Sequence, residues 1–307
     1  MRKLKNIIEC RPADDRKTAV ALGIFDGMHL GHRSVIRKTI EYGSEGFLPA
    51  VFTFNSDSME KKHSKPFRYI YSNSQKMSLL AEMGMEYIYC PDFNDLKNME
   101  AEDFAGLILA KTMNAGKVIC GKRFHFGKGA SCGTQELQQL GMKYGFEVFT
   151  VPPVMSENIS VSSSEIRSLM HDGNIRRANE LLGRNYQIEN TVSYGRQLGR
   201  TIGIPTANLK FGERQLVPHY GVYSSRTVID GKEYVSVTDI GVKPTVSDIS
   251  SPLAETHIID FNGNIYGRNI RVILDDMIRD EKKFSSLEEL KSAIENDIKT
   301  ALKINKK

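Results

Sequence analysis

Cysteine is scarce in this sequence and never paired in a metal-binding rhythm. The four residues, Cys10, Cys90, Cys120 and Cys132, form no C-x-x-C pair, which argues against a zinc site. Cys90 and Cys120 end apolar runs, where a free thiol packs as a small hydrophobe, and the expected setting is a reducing cytosol. No apolar run reaches the length of a membrane span. The charged opening MRKLKNIIECRPADDRK has no continuous apolar core of the kind a signal peptide needs. A cytoplasmic protein without membrane partners is the expectation. Charge of one sign is also lacking: 42 Lys and Arg against 37 Asp and Glu leave a formal net charge of +5, interleaved along the chain. That balance suits anionic small-molecule ligands and argues against nucleic acid as a partner. There is no internal repeat and no low-complexity segment, and nothing here fixes an oligomeric state.

What is present reads as two domains, as the length of 307 residues suggests. The first half alternates strand and helix signals. Apolar runs at 18–25, 48–54, 86–90, 117–121 and 147–151 are separated by helical patterns at 31–42, 74–83, 101–113 and 134–144. Glycines at 43, 84 and 145 close several of the helices. This rhythm predicts an α/β domain, a doubly wound parallel sheet covered on both faces. The second rhythm begins near Asn185. Asp230-Gly231 and Asn262-Gly263 stand between β-rich runs (223–229 with 233–238, and 255–261 with 265–274). They predict hairpins of a small antiparallel β-barrel. Ser286-Leu287-Glu288-Glu289 is a capping box that opens a terminal helix. Its apolar stripe is Leu287, Leu290, Ile294, Ile298 and Ala301. The boundary is placed near residue 182.

The most informative stretch is Gly23-Ile24-Phe25-Asp26-Gly27-Met28-His29-Leu30-Gly31-His32, directly after the first apolar run. Two glycines permit a tight turn, and a helical pattern begins beyond it. His29 and His32 are three apart, so they share a face at a helix start, where free N–H groups and the dipole already favour an anion. Imidazoles there suit a polyphosphate and the extra charge of a phosphoryl transition state. A metal-binding pair and ordinary helix-start histidines remain as alternatives. The stretch is not the dinucleotide fingerprint G-x-G-x-x-G.

Three further stretches carry chemistry. Ser162-Ser163-Ser164-Glu165-Ile166-Arg167 has capping-box spacing; Ser163, Ser164 and Arg167 on the first turn offer hydroxyls and a planar cation to phosphate. A capped surface helix is the plain alternative. Gly195 to Asn208 (GRQLGRTIGIPTAN) is too rich in glycine for a strand interior and reads as a shaped loop. Thr206 and Asn208 are uncharged oxygen donors suited to Mg²⁺ between phosphates. Glu255 and His257 alternate on one strand, and a carboxylate there suits proton abstraction from an attacking hydroxyl. A salt-bridged barrel residue fits the spacing equally well.

Taken together, these motifs resemble the bacterial bifunctional riboflavin kinase/FMN adenylyltransferase (FAD synthetase) family over nearly the whole chain. The resemblance rests on G-x-F-D-G-x-H-x-G-H at 23–32, S-S-S/T-x-I-R at 162–167 and Leu181-Leu182-Gly183-Arg184. It continues through G-R-x-x-G-x-P-T-A-N at 199–208, P-x-x-G-V-Y at 218–223 and Ile240-Gly241-Val242-Lys243-Pro244-Thr245. Glu255-Thr256-His257 and the ending 278–284 complete it. It implies that residues 183–307 convert riboflavin to FMN and residues 1–182 convert FMN to FAD, each with ATP and Mg²⁺. By motif, Glu255 would be the kinase base and Thr206 and Asn208 the metal ligands. Gly199, Arg200, Gly203 and Pro205 would shape the phosphate loop of the kinase. His29 and His32 would be catalytic in adenylyl transfer, with Gly23, Phe25, Asp26, Gly31, Ser163, Ser164 and Arg167 around the nucleotide. The chain departs from the family pattern twice. Ser56-Asp57-Ser58 stands in place of Pro-His-Pro, and Arg123 occupies the Asp/Asn position of G-x-(D/N)-F-x-F-G. The alternative reading is a riboflavin kinase whose first half binds nucleotide or flavin with little turnover.

Overall fold

The computed structural model describes residues 8–10, 15–59, 68–195, 199, 203–242 and 252–306. The chain divides into two units by backbone contacts, Met1–Ser163 and Ser164–Lys307. The helical segment from 164 to 182, read from sequence with the first half, groups with the second.

The apolar runs of the first unit become strands β2 (Thr18–Leu22), β3 (Leu48–Phe52), β4 (Tyr87–Cys90), β5 (Ala115–Gly121) and β6 (Glu147–Val151). They pair in parallel in the order β4-β3-β2-β5-β6. A short strand, β1 (Ile8–Cys10), adds antiparallel to β4; three residues gave no periodic signal from which to read it. Every residue of β2, β3 and β4 is buried, as strands covered on both faces must be. Helices α1 (Leu30–Glu41), α2 (Asn73–Glu82) and α5 (Thr134–Tyr144) match the sequence pattern within a residue. Two short helices, α3 (Phe93–Leu96) and α4 (Ala101–Asp103), lie between α2 and α5. The helix expected over 101–113 changes form after α4. Residues Phe104–Thr112 are wound as a π-helix, with the Met113 N–H donating to the Ile108 carbonyl five residues back. The wider turn brings Phe104, Ile108 and Leu109 onto a core built from Val20, Ala50, Val118 and Leu137.

A two-stranded hairpin, β7 (Met155–Ser156) with β8 (Ile159–Ser160), ends the first unit. The second unit opens inside α6 (Ser163–His171), from Ser164 on, and continues with α7 (Ile175–Leu182). It continues as β9 (Gln187–Thr191), β10 (Ala207–Lys210), β11 (Gly221–Ile229), β12 (Lys232–Val242), β13 (Pro252–Ile258) and β14 (Asn269–Asp280). All pair antiparallel in the order β10-β13-β12-β11-β14-β9, and a Ser193–Asn208 bridge draws the two edges together. The result is a nearly closed barrel. Asp230 and Gly231 both have positive φ, 50° and 79°, as a tight hairpin turn between twisted strands requires. The second expected hairpin does not form. β13 pairs with β10 and β12, and β14 with β11 and β9. Asn262-Gly263 forms no tight turn: in the connection 259–268 the turns fall at 259–260 and 266–267, where Asp260 and Gly267 have positive φ. That connection is long enough for each strand to take its partners elsewhere in the barrel.

The barrel interior is unusually rich in hydroxyls. Ser225, Thr227, Ser236, Thr238 and Thr256 are fully buried and linked Thr227–Ser236–Ser225–Thr238–Thr256 at 2.8–2.9 Å. Four bonds join the five hydroxyls, so each has at least one partner within the barrel. The terminal helix, α8 (Leu287–Ile304), is capped by Ser286 and docks through Ala301 and Ile298 onto Val222 and Val237. Leu287, expected in the apolar stripe, is 61% exposed instead. Asp297 takes the buried place, accepting a two-pronged bond from the Arg279 guanidinium at 2.8–3.2 Å. Asp297→Ala strands Arg279 and should lower stability toward the smaller end of the roughly 3–5 kcal/mol seen when one partner of a buried pair is removed. The shift of the urea unfolding midpoint measures it.

Candidate active sites

In the first unit the strand order reverses between β2 and β5. Open α/β sheets bind ligands at the carboxyl ends of strands flanking such a reversal. The loop that leaves β2 there is 23–29. Phe25, Gly27 and Met28 all adopt positive φ, 53°, 82° and 48°, a costly conformation for the two non-glycine residues. A side chain at Gly27 would bring its Cβ to 2.7 Å from Ile70. Anchors offset the strain. The Asp26 carboxylate accepts the Ile70 N–H at 2.9 Å, and the Asp26 carbonyl accepts the Ser163 hydroxyl at 2.8 Å. Phe25 and Met28 are buried beneath the loop.

The loop delivers His29 to the N-cap of α1. Its Nδ1 accepts the His32 backbone N–H at 3.3 Å, so the neutral ring carries its proton on Nε2. The two imidazoles stack 3.6 Å apart at 18°, and Phe25 meets His32 edge-on. Burial first, then the neighbouring His29 and Lys76, hold the His32 pKa well below the usual 6.5. The site therefore offers the neutral His32 imidazole, the His29 ring beside it and helix N–H groups to an anion. Gly31 lies against the His29 ring, 3.1 Å from where its Cβ would stand. Gly23, Phe25, Asp26, Gly31, His29, His32 and Ser163 are thus assembled in one place. Ser164 and Arg167 lie on α6, in the second unit.

The departures from the family pattern sit on the loops after β3 and β5. Ser56–Ser58 forms a short 3-10 turn capped by Asn55, and the Ser58 hydroxyl donates to the Asn55 carbonyl at 2.7 Å and accepts the Phe93 N–H at 2.8 Å. Arg123 is exposed, its carbonyl accepting from His125 Nδ1 at 3.0 Å.

In the barrel, Pro205, Thr206, Thr256, Phe261 and Tyr266 line a cavity of about 320 Å³. Gly199 accepts the Ile204 N–H at 2.7 Å, and Gly203 has a φ of 78°, closing the loop that leads to β10. His257 donates through Nδ1 to the Pro205 carbonyl at 2.9 Å, fixing that loop to β13. The register puts Glu255 directly across from Asn208 on one side and Asp239 on the other. Asn208 is 4% exposed, and its Oδ1 has no hydrogen-bond partner among the described residues. Gly195 backs onto its amide so closely that a Cβ would sit 2.5 Å from Nδ2. Tyr194 stacks on Tyr266 at 4.1 Å beside the cavity. Arg200 and the Lys243-Pro244-Thr245 motif lie outside the described residues.

Sequence reasoning missed Asp239 and Lys76. Asp239 belongs to a run, Tyr234 to Val242, whose register across from Glu255 no local pattern reveals. Lys76 reads as an ordinary polar position on a helix, yet it is 2% exposed. Among the described residues no helix is long and apolar enough to cross a membrane.

Comparison with known proteins matches each half of the chain to a family. The FAD synthetase family matches residues 11–165 and the riboflavin kinase family matches residues 182–305. The bifunctional riboflavin kinase/FMN adenylyltransferase of Escherichia coli K12 is 34% identical over 98% of this chain and 97% of its own length. That of Pseudomonas fluorescens is 31% identical over 98% and 97%. A crystal structure described as a macrolide-efflux protein from Streptococcus pneumoniae superposes with a TM-score of 0.84 and 31% identity, covering 94% of this chain and 95% of that one. Nearly complete coverage by relatives of one kind, with both halves matched separately, means that the chain belongs to the bifunctional riboflavin kinase/FMN adenylyltransferase family.

Proposed function

We propose that this protein makes FMN from riboflavin and ATP, and then FAD from FMN and a second ATP. The carrying observation is that the two halves match an FAD synthetase and a riboflavin kinase pattern separately, and each half holds one candidate site. In the barrel, Glu255 takes the proton of the riboflavin ribityl hydroxyl as its oxygen attacks the γ-phosphorus of ATP, and ADP leaves. The cavity beside Thr206 and Thr256 receives the substrates. Thr206 and Asn208 would hold Mg²⁺. The buried, unpartnered Oδ1 of Asn208 fits a hard cation that prefers neutral and anionic oxygen. Mg²⁺ bound there supplies positive charge that neutralises the phosphates.

At the switch point of the parallel sheet, a phosphate oxygen of FMN attacks the α-phosphorus of ATP and pyrophosphate leaves. His29 Nε2–H, His32 and the α1 N–H groups face the negative charge that builds there. The loop after β3 keeps a defined turn without prolines, which favours the two-step reading over a kinase alone. The test is incubation with riboflavin, ATP and Mg²⁺, the flavins resolved by chromatography over time. FMN followed by FAD is expected; FMN alone, even when FMN is supplied directly, would reduce the protein to a kinase.

A further inference from the structure

We infer that Lys76 is a positioning residue of the adenylyl-transfer site, its buried ammonium tying the histidine-bearing loop after β2 to the loop after β3. The inference rests on the assignment of His29 and His32 to that reaction. Lys76 Nζ lies 2.6 Å from the Phe54 carbonyl, 3.1 Å from the Ser56 hydroxyl, 3.4 Å from the Thr53 hydroxyl and 3.5 Å from the Ile24 carbonyl. Burying an ammonium is expensive, and a lysine kept only for stability would be expected to face a carboxylate. Here the hydrogen-bond acceptors are neutral and all belong to two loops. Thr53 joins the same knot by donating to the Ile24 carbonyl at 2.9 Å. One turn earlier on α2, Asn73 accepts the Ser56 N–H at 3.4 Å, so a single helix face grips the segment that stands in place of Pro-His-Pro. Proline stiffens a loop by fixing φ. This chain obtains a comparable restraint through charge-assisted hydrogen bonds, which are stronger than neutral ones.

The same cation bears on the chemistry. Lys76 and His29 both act on the buried His32 ring to keep it neutral, with burial the larger cause. Burial also lowers the pKa of Lys76 itself, against the opposing pull of Cys90, Asp26 and Asp57. Ile24 is two residues from Asp26 and five from His29, so a loosened Ile24 carbonyl frees the strained turn that aims the imidazoles.

The experiment compares Lys76→Met and Lys76→Arg in the full chain, measuring kcat and KM for FAD formation from FMN and ATP across pH. Lys76→Met is expected to lower kcat at least tenfold with little change in KM for ATP. Its acid limb should move to higher pH, because a histidine relieved of a neighbouring cation protonates more easily. Lys76→Arg should restore the position of the acid limb while recovering only part of the rate. The far-UV circular dichroism melt of the same samples is the folding control, and Lys76→Gln, which keeps N–H donors without charge, carries the same readouts if the methionine variant does not fold. An unchanged kcat in the neutral variants overturns the proposal, as does a loss of rate with the acid limb unmoved. His32→Ala separates the two claims. If it leaves FAD formation intact, the histidine assignment fails; if it abolishes FAD formation while Lys76→Met behaves as wild type, only the role of Lys76 fails.

Discussion

His29→Asn and His32→Ala should each slow FAD formation by roughly 10²–10³-fold, the usual loss when one preorganised donor to a developing anion is removed. FMN formation should continue at its normal rate. Asparagine is the sharper choice at position 29. His29 caps α1 through Nδ1, and an alanine there would also remove the cap, at a cost of about 1 kcal/mol. Asparagine is a preferred N-cap, so a loss of FAD formation in that variant belongs to the imidazole. The measurement is initial FAD formation from supplied FMN, with riboflavin phosphorylation followed in parallel. Equal loss of both steps would defeat the assignment of one reaction to each unit.

The electrostatics of the pair add a pH expectation. His32 is held neutral well below its ordinary pKa of 6.5, so its folded value lies below its unfolded value. Its contribution to stability is full above about pH 6.5 and is lost as pH falls from there toward the folded value, because only the unfolded chain gains the proton. The urea midpoint should therefore drop between pH 7 and pH 5.5, and His32→Ala should flatten that drop. FAD formation by the wild type should show no His32 titration near 6.5.

Glu255→Gln carries the second large effect. A positioned proton acceptor contributes roughly 10²–10⁴-fold, and FMN formation should fall by that factor while FAD is still made from added FMN. Glutamine keeps the size of the side chain and its place across from Asn208 and Asp239, so a structural loss is not expected. An unchanged rate of riboflavin phosphorylation removes Glu255 from the role of base and leaves Asp239, its neighbour on the same face, as the carboxylate to test next.

Much of this was legible along the chain. The parallel strands and α1, α2 and α5 follow from apolar periodicity, because strands buried on both faces must be continuously apolar and helices must carry a stripe. The histidine loop was legible for a related reason: its glycines, its histidines three apart and the helix start are all local. Leu287 and the Asn262-Gly263 turn were misread where a local signal met a distant constraint. The capping box starts α8 as written, yet which turns of that helix meet the barrel depends on where Val222 and Val237 lie. Likewise, Asn262-Gly263 forms no hairpin turn, because β13 and β14 take their partners elsewhere in the barrel.

The sequence by itself determined the two rhythms, the elements within each and the motifs that bear chemistry, since all of these are set by residues within a few positions of one another. Only the tertiary structure decided which strands neighbour which, and hence that Glu255 stands between Asn208 and Asp239. It alone placed Lys76 among oxygens contributed by Ile24, Thr53, Phe54 and Ser56. Those arrangements depend on burial and on pairings between residues remote in the chain. A lysine on a helix reads the same in sequence whether it reaches into water or into the core.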